Sequence, residues 1–184
     1  MLAESTDAVE DDDLAPDRAA AEVIDTMALN LAKQVFPPVF EFASLSSQSA
    51  NPKFREASVT ALGVVSEGCL ELMKDKLEPI LHIVLGALRD PEQMVRGAAS
   101  FALGQFAEHL QPEIMSHYES VLPCILNAIE DASDEVKVNI RISSNCYADH
   151  ILHDTCMNSM HLLHMIFFIW FWTGKVILRF SSIL

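Results

Sequence analysis

Six side chains near the C-terminus are of types that hold metal ions: Cys146, His150, His153, Cys156, His161 and His164. Thiolate and imidazole are the ordinary ligands of zinc. The intervals between these six match no structural zinc pattern, and the residues around them offer no small domain to orient the ligands, so neither a metal nor a cofactor is expected. Thr173-Gly174-Lys175 has the look of the end of a phosphate-binding loop. That loop needs a glycine five residues before Gly174, where Ile169 stands instead. No Gly-x-Ser-x-Gly is present, and the remaining carboxylates and histidines read as scattered along helix surfaces, so an enzyme is the least expected class. The other chemistry on offer is plain charge. Glu10, Asp11, Asp12 and Asp13 form an acidic run, with Glu4, Asp7 and Asp17 nearby. Clustered acids with no apolar period read first as a solvated linker. The functional reading is an acidic loop that faces a basic partner, where complementary charge raises the association rate.

The elements that would position these groups follow from composition and period. The chain has 184 residues, enough for one sizeable core, and 51% are apolar, too many for a disordered chain. A net charge of −14 makes nucleic acid a poor partner and a basic protein a good one. The charge is uneven: residues 1–137 hold 9 Lys/Arg against 24 Asp/Glu, and residues 138–184 hold 3 against 2. Cys69 and Cys124 fall at apolar helical positions, where a free thiol packs as a small hydrophobe, and a reducing compartment fits. Met1 is followed by neither a basic nor an apolar stretch, so no secretory signal is expected here.

The chain repeats itself. Arg55-Glu56-Ala57 and Arg96-Gly97-Ala98 open two segments in which Ala61-Leu62-Gly63 aligns with Ala102-Leu103-Gly104, and Glu67 with Glu108, always 41 residues apart. Leu77, Ile80, Leu81, Val84, Leu85 and Leu88 land, again after 41 residues, on Tyr118, Val121, Leu122, Ile125, Leu126 and Ile129. One period earlier stand Phe36, Val39, Phe40 and Ala43. Apolar residues at i, i+3, i+4 and i+7 mark one face of a helix, so each unit reads as two helices. A second-type helix is expected over about 18–33, full pairs over about 35–71 and 76–110, and a last first-type helix over about 117–130. A period near 40 with two helices per unit is the HEAT/armadillo signature of an all-α solenoid, whose units bury their faces only by stacking.

This register assigns the charged residues near the helix starts. Asp90 is placed to cap the second helix, Pro91 to occupy its first position and Gln93 to complete a capping box. Arg55, Arg96 and Lys137 recur one period apart, opposite Asp90 and Asp131, and suggest a ladder of ion pairs or carbonyl contacts between layers. This structural role is favoured for Arg96 over contact with a ligand. Gly63 and Gly104 follow Leu62 and Leu103 and are expected to allow close helix packing, because glycine inside a helix is otherwise costly.

The string Asp90–Ala99 with Ala102-Leu103-Gly104 resembles the HEAT consensus. Val95–Ile114, with the segments from Asp25 to Phe42 and from Lys53 to Leu81, resembles the importin-beta (karyopherin-beta) family of nuclear transport receptors, its importin-four-like branch in particular. The resemblance covers about residues 3–137. It implies a carrier that wraps basic protein cargo, passes the pore by contacts with Phe-Gly nucleoporins, releases cargo to Ran-GTP, and resides in cytoplasm and nucleus. Full receptors of this kind carry many more repeats, so this chain reads as an internal fragment, and no Ran-binding residue carries over. The alternatives are a generic HEAT-repeat scaffold and a membrane-anchored adaptor.

After Lys137 the register fails, because Asn139, Ser143 and Ser144 fall where the core needs small apolar residues. The expected division is an acidic segment 1–17, a solenoid 18–137 and a divergent hydrophobic tail 138–184. The tail reads best as an end foreign to the family, from an alternative exon or a misassembled gene. A membrane anchor over 162–180 is less favoured, since His164, Gly174 and Lys175 interrupt it. Such a tail leaves the last repeat unpaired and is expected to make the chain marginally soluble on its own.

Overall fold

In a computed structural model of the chain, residues 16–128 are described; the acidic run Glu10–Asp13, together with Asp131, Lys137 and the whole tail, lies outside them. The elements are α1 (Pro16–Ser46), α2 (Pro52–Val64), α3 (Leu70–Lys74), α4 (Leu77–Ala87), α5 (Gln93–His109), a 3-10 turn (Glu113–His117) and α6 (Tyr118–Ala128). No strand occurs among the described residues. The elements themselves keep the sequence period: α4 and α6 begin 41 residues apart, as do α2 and α5.

The expected helices over 18–33 and from 35 onward are the two parts of α1, which meet at a kink at Leu31, where φ −135° and ψ 39° leave the helical region. Thr26 and Asn30 just upstream donate side-chain hydrogen bonds to the carbonyls of Glu22 and Thr26, which compete with the helical ladder. Pro37 and Pro38, further on, supply no N–H at all. The second helix of this pair is shorter than expected. α2 stops at Val64, and α3 follows as a separate piece. Ser66 Oγ donates to the Gly63 carbonyl at 2.8 Å, and Gly68 comes so close to α1 that a Cβ on it would collide with the backbone of Ala28 and Leu29.

The core is built from the repeat. Leu62 and Leu103, Val65 and Phe106, Cys69 and Leu110, Met73 and Ile114, and Ile80 and Val121 are all buried, each pair one period apart. Each such side chain contributes about 1.5–3 kcal/mol by leaving water. The helices touch mainly through α2 against α5 and α1 against α2, so the second helices of successive pairs form the spine of the stack. Gly63 sits at this contact: a Cβ there would lie 2.9 Å from the Phe101 ring and 3.0 Å from Ala102 Cα. The three buried hydroxyls, Ser58, Ser66 and Ser100, each bond a carbonyl within one turn, which meets the cost of burying them. Among the described residues no helix is long and apolar enough to cross a membrane; positions 162–180 lie outside them.

Candidate protein-interaction surface

Two arrangements of charge stand out. The first joins neighbouring layers. Arg55 Nε and Nη2 donate to the two carboxylate oxygens of Asp90 at 2.7 and 2.8 Å, a forked pair that is 15% and 10% exposed. Arg55 Nη1 donates to the carbonyls of Ser49 and Ala50, at 2.9 and 3.3 Å. One period on, Arg96 Nη1 donates to the carbonyls of Asp90 and Pro91, both at 3.0 Å. Each arginine thus clamps the turn before its own helix, and Arg55 also reaches the next layer. The hydrogen bond from Arg55, reinforced by the Glu92 N–H, holds the Asp90 carboxyl below its ordinary range. The fork to Asp90 in turn raises Arg55.

Capping departs from the sequence reading. The N-cap of α5 is Glu92, with no side-chain cap bond, and Pro91 and Gln93 do not take the places expected of them. Asp90, turned toward Arg55, accepts the Glu92 N–H at 2.9 Å from outside the helix. At α2 the ordinary cap is intact: Asn51 Oδ1 accepts the Lys53 N–H at 3.0 Å, and Pro52 opens the helix. Asp131 and Lys137, the other two rungs read from sequence, lie outside the described residues, as do Glu10, Asp11, Asp12 and Asp13.

The second arrangement is a groove of about 230 Å³ that crosses three layers. Ala21, Glu22 and Asp25 enter it from α1, Val64 and Glu67 from the end of α2, and Phe101 and Gln105 from α5. Glu108 lies three residues beyond Gln105 and seven beyond Phe101, on the same side of α5. Asp25, Glu67 and Glu108 succeed one another at intervals of 42 and 41 residues, one carboxylate per layer. None of Glu22, Asp25, Glu67 or Glu108 has an ion-pair partner among the described residues. Phe101, 36% exposed, stands among them. An unpaired row of negative charge beside an apolar ring is suited to long cationic side chains, whose stems pack on apolar surface while their heads reach the carboxylates.

This groove adds to the sequence reading, which took the repeat carboxylates as scattered; Glu10–Asp13, the acidic contact read from sequence, lie outside the described residues. The available signal was the shared register of Glu67 and Glu108. Asp25 sits one residue out of that register, and Phe101 aligns with Thr60, so no period marks either of them.

Stacked helix pairs joined layer to layer in this way are a HEAT-type α-solenoid. Residues 52–106, from the start of α2 through most of α5, match the family model described as HEAT-like repeat. Over 69 residues, 37% of the chain, it is 39% identical to the probable importin subunit beta-4 of Schizosaccharomyces pombe, of which it spans 6%. The karyopherin Kap121p, solved bound to the SUMO protease Ulp1p, superposes with a TM-score of 0.74 at 20% identity, over 92% of this chain and 16% of that one. Kap121p bound to RanGTP gives a TM-score of 0.71 at 18% identity, over 94% and 19%. A structure of Kap95p with RanGDP gives 0.70 at 21%, over 80% and 18%. The fold is therefore the HEAT-repeat solenoid of karyopherins, and the chain spans less than a fifth of these solved relatives.

Proposed function

We propose that this chain is a segment of an importin-beta-type nuclear import receptor, and that its three-layer acidic groove holds a basic segment of protein cargo. The observation that carries this reading is the groove that Glu22, Asp25 and Glu67 line beside Phe101, none of the three ion-paired among the described residues, with Glu108 further along α5 one period after Glu67. Support comes from a Kap121p variant of known structure in which three acidic residues, spaced 43 and 42 apart, are each replaced by lysine. That spacing is one repeat, as in this row. Kap121p has also been solved with Nup53p and with Pho4p. By this reading Ran-GTP and Phe-Gly nucleoporins engage the full-length receptor, which works between cytoplasm and nucleus. The mechanism is reversible wrapping: no bond is made or broken, and the importin-four-like branch is part of the proposal.

The test is fluorescence anisotropy of a labelled Lys/Arg-rich peptide on the full chain. Binding is expected to weaken with added salt, since the Debye length shrinks to about 3 Å at 1 M. The combined variant Asp25→Lys, Glu67→Lys, Glu108→Lys is expected to lose at least about tenfold in affinity. The combination Glu41→Lys, Asp75→Lys, Glu78→Lys makes the same change of net charge away from the groove and is expected to retain most binding. Equal loss in both would leave net charge alone as the cause and remove the groove from the account.

A further inference from the structure

A larger cavity, of about 480 Å³, opens elsewhere, between the turn after α1 and the last turns of α4. Three features distinguish it from the acidic groove. The first is Gly86, which lies inside α4, where glycine costs about 0.5–1 kcal/mol relative to alanine. No close approach accounts for it, because a Cβ at Gly86 would meet nothing within 4 Å. One period later the residue is Asn127. The missing side chain keeps space open in the wall of the cavity.

The second feature is the apolar share of the lining, from Val59, Ile83, Ala87 and Val95. The third is charge of the opposite sign to the chain as a whole. His82, Gly86 and Arg89 stand at i, i+4 and i+7, on one face of α4 and its end, and all three line the cavity. The Arg55 charge at this site is already met by Asp90. Arg89 is exposed and, among the described residues, donates only to Cys124 Sγ, at 3.5 Å, and a thiol is a weak acceptor. No other described residue takes up the remaining donors of its guanidinium. The rest of the chain works against any acidic ligand, given a net charge of −14. Binding of one would report a local site.

We propose that this cavity docks an acidic segment of a partner protein, an Asp or Glu flanked by a large apolar residue. The apolar side chain seats over Gly86 between Ile83 and Val59, and the carboxylate takes the Arg89 fork, a charge-assisted pairing of matched geometry. The site stands apart from the groove that takes basic segments, and either can fail without the other.

The experiment titrates the full chain with a labelled short peptide of alternating Asp and Leu, with Asn-Leu and Asp-Ser peptides as comparators. Asp-Leu is expected to bind with a dissociation constant below about 1 mM, and both comparators at least about tenfold more weakly. Arg89→Glu removes the acid preference, and Gly86→Met fills the space; each is expected to weaken Asp-Leu at least about tenfold. Because the position is open and methionine is a better helix former than glycine, Gly86→Met should not lower the thermal transition, which circular dichroism checks. Arg89→Lys, which keeps the charge but not the fork, is expected to fall between. Equal binding of Asn-Leu, wild-type binding by both variants, or no binding of Asp-Leu near 1 mM would each overturn the proposal.

Discussion

The same substitution, glycine to alanine, is expected to act with opposite signs at three positions. At Gly68 an added Cβ would fall against Ala28 C and O and Leu29 N, which are backbone atoms of α1 and cannot rotate aside. Overpacking costs about 1–3 kcal/mol, and a collision with backbone belongs at the top of that range. We expect Gly68→Ala to cost about 3 kcal/mol, or roughly 6–12 °C in melting temperature for a chain of this size. At Gly63 the nearest atoms are the Phe101 ring at 2.9 Å, which can swing outward, and Ala102 Cα at 3.0 Å, which cannot. There an overpacking cost of about 2 kcal/mol is set against a gain of about 1 kcal/mol in helix propensity. The net is a loss of about 1 kcal/mol, or roughly 2–4 °C. At Gly86 nothing opposes the gain, so Gly86→Ala should raise the midpoint by about 1–4 °C. Thermal melts followed by far-ultraviolet circular dichroism give all three. A Gly68→Ala chain that melts with or above the wild type would refute the claim that α1 and the stretch after α2 meet backbone to backbone.

Other perturbations probe the layer joint and the core. Asp90→Asn should lower the urea midpoint at neutral pH. The Asp90 carboxyl is held below its ordinary value of 3.8, so its contribution is complete above that value and is lost as pH falls through the depressed one. The gap between wild type and Asp90→Asn should therefore close in acid, and a gap that stays constant from pH 7 downward would show that the ion pair is not its source. Arg55→Lys should also lower the midpoint, because a lysine cannot grip both Asp90 oxygens and the two turn carbonyls together. Phe106→Ala empties one of the largest fully buried positions and should cost about 3–5 kcal/mol by chemical denaturation. A loss below about 1 kcal/mol would mean that the layers are not packed there.

The period of 41 residues made the helices legible, because stacking buries equivalent positions in every layer and so imposes the same apolar residues on each. It made the interaction surfaces less so. The spacing suggested a ladder between layers without saying which residues meet, and it is Arg55, 35 residues away on the previous layer, that grips the Asp90 carboxylate. Register says which positions are equivalent; the path of the chain between layers decides which of them meet. Gly68 is hidden for a similar reason. Its equivalent is His109, so comparing repeats marks it as variable, whereas the close approach of α1 makes it necessary. The acidic groove draws two or three residues from each of three layers, and a contiguous run such as Glu10–Asp13 is easier to see in one dimension than a set that meets only after stacking. Gly86 carries the clearest local signal, a glycine inside a helix with no turn to make.

A basic segment bound as proposed lies across the second helices, on the carboxylate row. The most direct measurement places a photo-crosslinking phenylalanine derivative at position 101, beside that row, and in a separate chain at position 45, where Leu45 is 74% exposed on α1. Each chain is irradiated with the labelled Lys/Arg-rich peptide, and the crosslink is mapped by mass spectrometry. The account predicts a crosslink from position 101 that unlabelled peptide competes away and that the triple lysine variant loses, with little from position 45. Crosslinking from position 45 alone, while the peptide is demonstrably bound, would place the cargo face elsewhere and contradict it.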